Sequence, residues 1–213
     1  MPKLLKDDGG ETTVRGRILK AAFAAFRKSG YAAASMLEIA TRARVSKREL
    51  YALVGNKQEM LIACIKERAK RFDVSGGPPT LRDREALEHV LISFGTKLIS
   101  EASDPTVIAV FRLAISEVTQ APEVARVLDS IARERSRSAL RKIMDSARGS
   151  GLLTGDPAEL AGQFAGLLWR DLQVNLLLGV AARPNAHEIS ERARDATASF
   201  LQLHRLSNDI SAA

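Results

Sequence analysis

A chain of 213 residues, 46% hydrophobic and 27% charged, has a globular balance and enough length for a substantial core, which excludes a disordered chain. One cysteine, Cys64, excludes an intrachain disulfide. The net charge of +7 is unevenly held: residues 1–75 carry 16 Lys and Arg against 8 Asp and Glu, and the remainder carries 16 against 17, so a polyanion partner is expected for the first third alone.

No apolar run reaches the roughly 18–20 residues that span a bilayer, and MPKLLKDDGG lacks an apolar signal segment. The expectation is a soluble cytoplasmic protein with no membrane partner. Residues 1–11 read as a mobile arm. Thr12 or Thr13 starts a first helix, about 13–29, with Val14, Ile18, Ala22, Ala25 and Phe26 as its apolar stripe. Gly30 ends it as a left-handed glycine. Arg15 and Arg17 sit in its first turn, within reach of a phosphate. Tyr31 is expected to pack under the short helices of residues 35–61.

Those residues read as three consecutive helix starts. Ser35, Ser46 and Asn56 each stand three residues before a glutamate, Glu38, Glu49 and Glu59, which is the capping-box spacing. The second helix, about 36–43, and the third, about 47–53, are joined by the short turn Ala43-Arg44-Val45. Two short helices with a tight turn, the second opening on Lys47 and Arg48, describe a helix-turn-helix with basic residues aimed at a DNA groove. A fourth helix begins near Lys57, buries Met60, Leu61, Cys64 and Ile65, and ends in a solvated KERAKRFD tail. Gly76-Gly77-Pro78-Pro79 then stops helical structure and marks a domain boundary.

Five more helices succeed it, at about 81–101, 105–119, 122–148, 157–178 and 186–204. Asp104-Pro105 and Asp156-Pro157 each read as an N-cap with proline at the first helical position. No segment alternates long enough for a strand. The fold expected is all-α: a helix-turn-helix domain (1–56), a connecting helix and linker (57–79) and a helical bundle (80–213). The 157–178 helix is apolar on more than one side, so one side is expected in its own core and another on a second copy, together with the 186–204 helix. A homodimer also suits paired DNA half-sites.

Two rival classes fit the chain less well. An enzyme finds no support: His89, His187 and His204 lie far apart, and there is no phosphate-binding glycine loop or nucleophile elbow. No metal or cofactor is expected. A purely protein-binding helical adaptor conflicts with the charge asymmetry and the capped helix-turn-helix.

An ordered set of residues carries a resemblance. Ile18-Leu19, Ala22, Phe26, Gly30-Tyr31, Ser35, Ile39-Ala40, Ala43, Val45-Ser46-Lys47, Leu50-Tyr51, Lys57 and Glu59-Met60 resemble the pattern of the TetR family of bacterial transcriptional repressors. Arg112 to Glu117, Pro122, the run Gln163 to Leu167 and Leu178-Gly179 resemble the AefR-like C-terminal subtype. Ser35 stands where the family usually has Thr, and Arg44 where it commonly has Gly. If that position takes a positive φ, arginine there costs about 1 kcal/mol over glycine.

Roles for individual residues can be assigned on this basis. Arg48, then Lys47 and Arg44, are candidates for guanine O6 and N7. Glu49 either accepts from cytosine N4 or serves Ser46 as a cap partner, and the cap is favoured. Arg15, Ser35, Ser46 and Lys57 are phosphate candidates at helix starts, and the resemblance adds the Tyr51 phenol. The resemblance further implies a small-molecule effector in the C-terminal domain. Phe94, Leu98, Phe111, Met144, Phe164 and Trp169 would suit a largely apolar one. Asp171 either lines that pocket or pairs with Arg170 or Arg112. Effector binding would release a dimeric repressor from its operator DNA by favouring a different spacing of the reading helices.

Overall fold

The computed structural model of the chain describes residues 13–69, 81–119 and 122–204. The expected N-terminal arm, the Gly-Pro boundary at 76–79 and the end of the KERAKRFD tail lie outside these residues. Within them the chain is all-α: α1 (Val14–Ala33), α2 (Met36–Ala43), α3 (Lys47–Val54), α4 (Lys57–Ala69), α5 (Arg84–Ala102), α6 (Pro105–Ser116), α7 (Pro122–Leu128), α8 (Glu134–Gly149), α9 (Pro157–Trp169), α10 (Leu172–Leu178) and α11 (Ala186–Leu203). No described helix is long and apolar enough to cross a membrane.

The helices group into two compact units. The first holds α1–α4 and residues 109–129; the second holds α5, residues 105–108, and residues 130 onward. In the first, Ile18, Ala22, Ala25 and Phe26 are buried, as the α1 stripe predicts. They meet Ile39, Ala40 and Ala43 of α2, Leu50 and Val54 of α3, and Met60, Leu61 and Ile65 of α4. Cys64 behaves as a small apolar residue, its thiol donating to the Leu19 carbonyl at 3.4 Å. Gly30, at φ 78°, breaks the last turns of α1 and turns Tyr31 back against Phe26, with ring centres 5.6 Å apart.

The second unit packs α5 against α11, and α9 against both α8 and α11. Phe94, Leu98, Met144, Phe164, Leu168 and Phe200 form its centre. Phe164 and Phe200 meet edge to face at 5.6 Å, the arrangement their ring quadrupoles favour. The absence of a side chain at Gly95 sets the helix spacing. A Cβ there would stand 3.0 Å from Leu168 Cδ1 and 3.3 Å from the Ala193 Cβ. The expected caps hold: Asp156 takes the amides of Ala158 and Glu159, and Asn185 closes a full capping box with Glu188. Asp104 accepts from the Thr106 amide at 2.8 Å. Burial would raise the Asp104 carboxyl, but hydrogen bonds from Thr106 and Val107, with Arg183 nearby, hold it below the usual aspartate range.

Two predicted helices are each two. The 122–148 stretch is α7, a π turn (Asp129–Arg133) and α8. Val124 and Leu128 are buried in α7, and Leu140, Ile143, Met144 and Ala147 in α8. On one continuous helix of 3.6 residues per turn those two faces would lie roughly 130° apart, and the wide turn falls where the phase changes. The 157–178 stretch breaks at Arg170-Asp171 into α9 and α10, with Arg170 at φ 41° and ψ −127°. Leu160, Phe164, Leu168, Leu172 and Leu176 are all buried. Each i, i+4 step drifts about 40° around a straight helix, so an unbroken one would carry the last two out of the core. The break returns them.

Candidate nucleic-acid interface

Ser46 caps α3: its hydroxyl oxygen accepts from the Glu49 amide at 3.0 Å. Ser35 caps α2 through the Leu37 amide at 3.2 Å. In both, the oxygen is used as an acceptor and the hydroxyl proton stays available to an outside acceptor such as a phosphate. Between them Arg44 takes φ 54° and ψ 52°, the left-handed conformation. Its amide donates to the Thr41 carbonyl at 3.2 Å, and that of Val45 to Ala40 at 3.1 Å. That pair is a Schellman cap, which ends α2 sharply and sets the entry to α3. The turn thus has the positive φ at which the sequence places an arginine in the usual glycine position.

Leu50 and Val54 are buried and define the inner seam of α3. At about 100° per residue, Ala52 and Arg48 lie opposite that seam, with Glu49 about 60° to one side. Lys47, Arg48, Glu49 and Ala52 are exposed, as are Arg44 and Arg15. Tyr51 is 44% exposed, which rules out a core ring and leaves its phenol accessible. Arg17, also exposed, turns its Nε to the Ala43 carbonyl, donating at 3.5 Å. Lys57, in the first turn of α4, places its ammonium 4.9 Å over the Tyr31 ring. Burial, then the charges of Glu117 and Glu123, push the Tyr31 phenol above its usual value.

The three predicted capping boxes differ. Asn56 and Glu59 close one fully: the Glu59 amide donates to Asn56 Oδ1 at 2.9 Å, and the Asn56 amide to Glu59 Oε2 at 2.8 Å. Gly55, at φ 76°, makes room for it, since a Cβ there would sit 2.0 Å from Glu59 Oε2. At Ser35 the glutamate instead faces Arg42 at 3.9 Å, an exposed pair four residues apart. At Ser46 the box is half made. The Glu49 carboxylate has no hydrogen bond or ion pair among the described residues. The favoured cap role for that side chain is therefore corrected; spacing alone does not distinguish a closed box from an open one.

The candidate effector residues divide. Phe94, Leu98, Met144 and Phe164 are buried together in the second unit, with Trp169 partly buried against them. Phe111 belongs to the first unit. Asp171 is exposed at the α9–α10 break and does not pair with Arg170, while Arg112 belongs to the first unit. The helix break carries it away from the core face that a continuous helix suggested. An open cleft of about 400 Å³ lies beside the same break, lined by Leu167, Arg170, Leu172, Pro184, Arg192 and Asp195.

A capped helix-turn-helix with exposed cations on its second helix, joined to a helical second unit, defines a DNA-binding transcriptional regulator. The model of the tetR family of bacterial regulatory proteins matches residues 18–64, and that of the AefR-like transcriptional repressor C-terminal domain matches residues 89–205. The chain belongs to the TetR family of transcriptional regulators. It is 34% identical over 146 residues to the HTH-type transcriptional activator FasR of Mycolicibacterium smegmatis, a match covering 61% of this chain and 64% of that protein. A TetR transcriptional regulator from Agrobacterium tumefaciens shares the fold at a TM-score of 0.80 and 25% identity, over 93% of this chain and 97% of that one. One from Pseudomonas syringae pv. tomato does so at 0.67 and 26%, over the same shares.

Proposed function

We propose that this regulator is a homodimeric cytoplasmic repressor that leaves its operator when a small, largely apolar effector binds. In this reading residues 1–56 read DNA, 57–79 connect, and 80–213 bind effector and dimerise, without catalysis. Arg48, Lys47 and Arg44 face bases, and Arg15, Ser35, Ser46, Tyr51 and Lys57 hold phosphates. The observation that supports it best is α3 itself: capped by Ser46, seated on Leu50 and Val54, with Arg48 exposed on the opposite face. The dimer is assigned to α9, α10 and α11. Val174, Leu178 and Leu203 are 56%, 71% and 70% exposed in the single chain, an apolar set suited to a second copy. Phe94, Leu98, Met144, Phe164 and Trp169 are the proposed effector surroundings, opened by repacking of the second-unit core. Phe111, in the first unit, and the exposed Asp171 stand outside this set.

The test is binding to DNA flanking the coding region, against scrambled DNA, over a salt series. Six to ten phosphate contacts predict a loss of roughly 10³–10⁵ in affinity from 50 to 200 mM salt. Equal, weak binding to both DNAs would remove the operator-reading role. The similarity to an activator over 146 residues supports a second reading, activation. A promoter reporter with and without the protein separates the two: repression lowers basal output, and activation raises it.

A further inference from the structure

The exposed side of α3 carries one acid among its cations. Glu49 is exposed, about 60° round the helix from Ala52 and about 100° from Arg48, and its carboxylate is unengaged among the described residues. Glu59, at the same spacing one helix later, folds back over Gly55 and is consumed by its cap. We propose that Glu49 is a specificity-determining residue that accepts a hydrogen bond from the N4 amino group of a cytosine in the major groove, next to the base read by Arg48. This rests on the DNA-reading function above.

The chemistry selects the base. A carboxylate entering a groove walled by phosphates is repelled unless it meets a donor. The major groove offers two: adenine N6 and cytosine N4. Adenine sets its N7 acceptor beside N6, which repels a carboxylate; cytosine presents no acceptor there. Thymine O4 and guanine O6 are acceptors and are rejected outright. Ala52, directly opposite the buried seam, adds no bulk and lets this flank of α3 approach the base edges. The acid thus adds little to affinity. It excludes wrong sequences by repulsion, an effect that a cation in a groove rich in acceptors supplies poorly.

The experiment is selection of bound duplexes from a randomised DNA library by the full-length wild type, Glu49→Ala and Glu49→Gln at one salt concentration, with melting temperatures for all three. Wild type is expected to hold cytosine at one half-site position roughly tenfold over the other bases. Glu49→Ala should lose preference at that position alone and bind scrambled DNA more tightly, having lost a negative charge near phosphates. Glu49→Gln should shift that position toward adenine, whose N6 and N7 an amide can bridge. A clear wild-type motif that Glu49→Ala leaves unchanged overturns this proposal alone. Loss of the whole motif with lowered melting in both variants makes Glu49 a structural residue and overturns it too. No wild-type motif at all overturns the DNA-reading function and this proposal with it.

Discussion

The two units of this regulator use their sequence differently. In the first, the informative residues stand at helix ends: Ser35, Arg44, Ser46, Gly55 and Asn56 fix where α2, α3 and α4 start and stop, and the placement of the exposed side chains is set by that. In the second, they stand on helix faces: Phe94, Met144, Phe164, Leu168 and Phe200 fill one core, and Gly95 sets how near α5 lies to α9 and α11. A helix end holds a few hydrogen bonds, each worth about 1 kcal/mol. A core face holds large apolar side chains worth several times that. Recognition and stability should therefore separate by unit, and substitutions can test the separation in both directions.

The largest expected effect is in the second core. Phe164→Ala removes a fully buried ring that meets Phe200 edge to face and should cost about 3–5 kcal/mol of unfolding free energy. Chemical denaturation measures it; a loss under about 1 kcal/mol would mean the core is not packed as described. Next, Arg48→Ala should leave the melting temperature within a degree or so, because Arg48 is exposed, yet cost about 1–3 kcal/mol of operator affinity, most at one base position. A variant that melts early and binds normally would invert the comparison. At a helix end, Asn56→Ala opens the closed box of α4 and should cost about 1 kcal/mol of stability. Glu49→Ala at the open box should cost far less. Equal losses at the two would show that Glu49 caps α3 in solution after all.

Legibility in the sequence divides along the same line. Helix starts are legible because a cap is a local chemical pattern: Ser46, Asn56, Asp156 and Asn185 each fix a boundary within a residue or two. The positive φ at Arg44 is legible too, through the resemblance to a family that commonly has glycine there, and Arg44 does adopt it. Breaks inside apolar stretches are not. Arg170 is not a turn former, and nothing local announces its φ of 41°. That break answers a tertiary demand, the return of Leu172 and Leu176 to the core. The π turn at Asp129–Arg133 is hidden for a related reason. Periodicity summed over 122–148 averages two buried faces into one long helix, although each half serves a different unit. Asp171 reads as a polar intrusion into a core face only while its helix is taken as continuous.

Arg44 offers a sharper cut, because there stability and recognition oppose each other at one residue. Arg44→Gly relieves a left-handed arginine and should stabilise the fold by about 1 kcal/mol. If Arg44 contacts DNA, the same change weakens binding, and for a phosphate contact it lowers the salt slope by about 1. Greater stability with unchanged DNA affinity would leave the arginine without a role in recognition.

The smallest expected effect lies at the end of α11, and it depends on pH. Burial, then the charge of Arg84, holds the His204 imidazole below its usual pKa. Its Nε2 lies 2.7 Å from Gln163 Oε1, and its ring lies tilted with its centre 4.7 Å from that of Phe200. The neutral ring donates to the amide oxygen. A proton on the other nitrogen would place a cation beside Arg84. The unfolded chain takes up that proton near pH 6.5, before the folded one does. The contribution of His204 is therefore complete above about pH 6.5 and is lost as the pH falls through the lower folded-state value. Denaturation of wild type and His204→Gln between pH 5 and 8 isolates it. The wild-type advantage should shrink toward acid, and a constant difference across that range would leave His204 a packing residue with no titration coupled to folding.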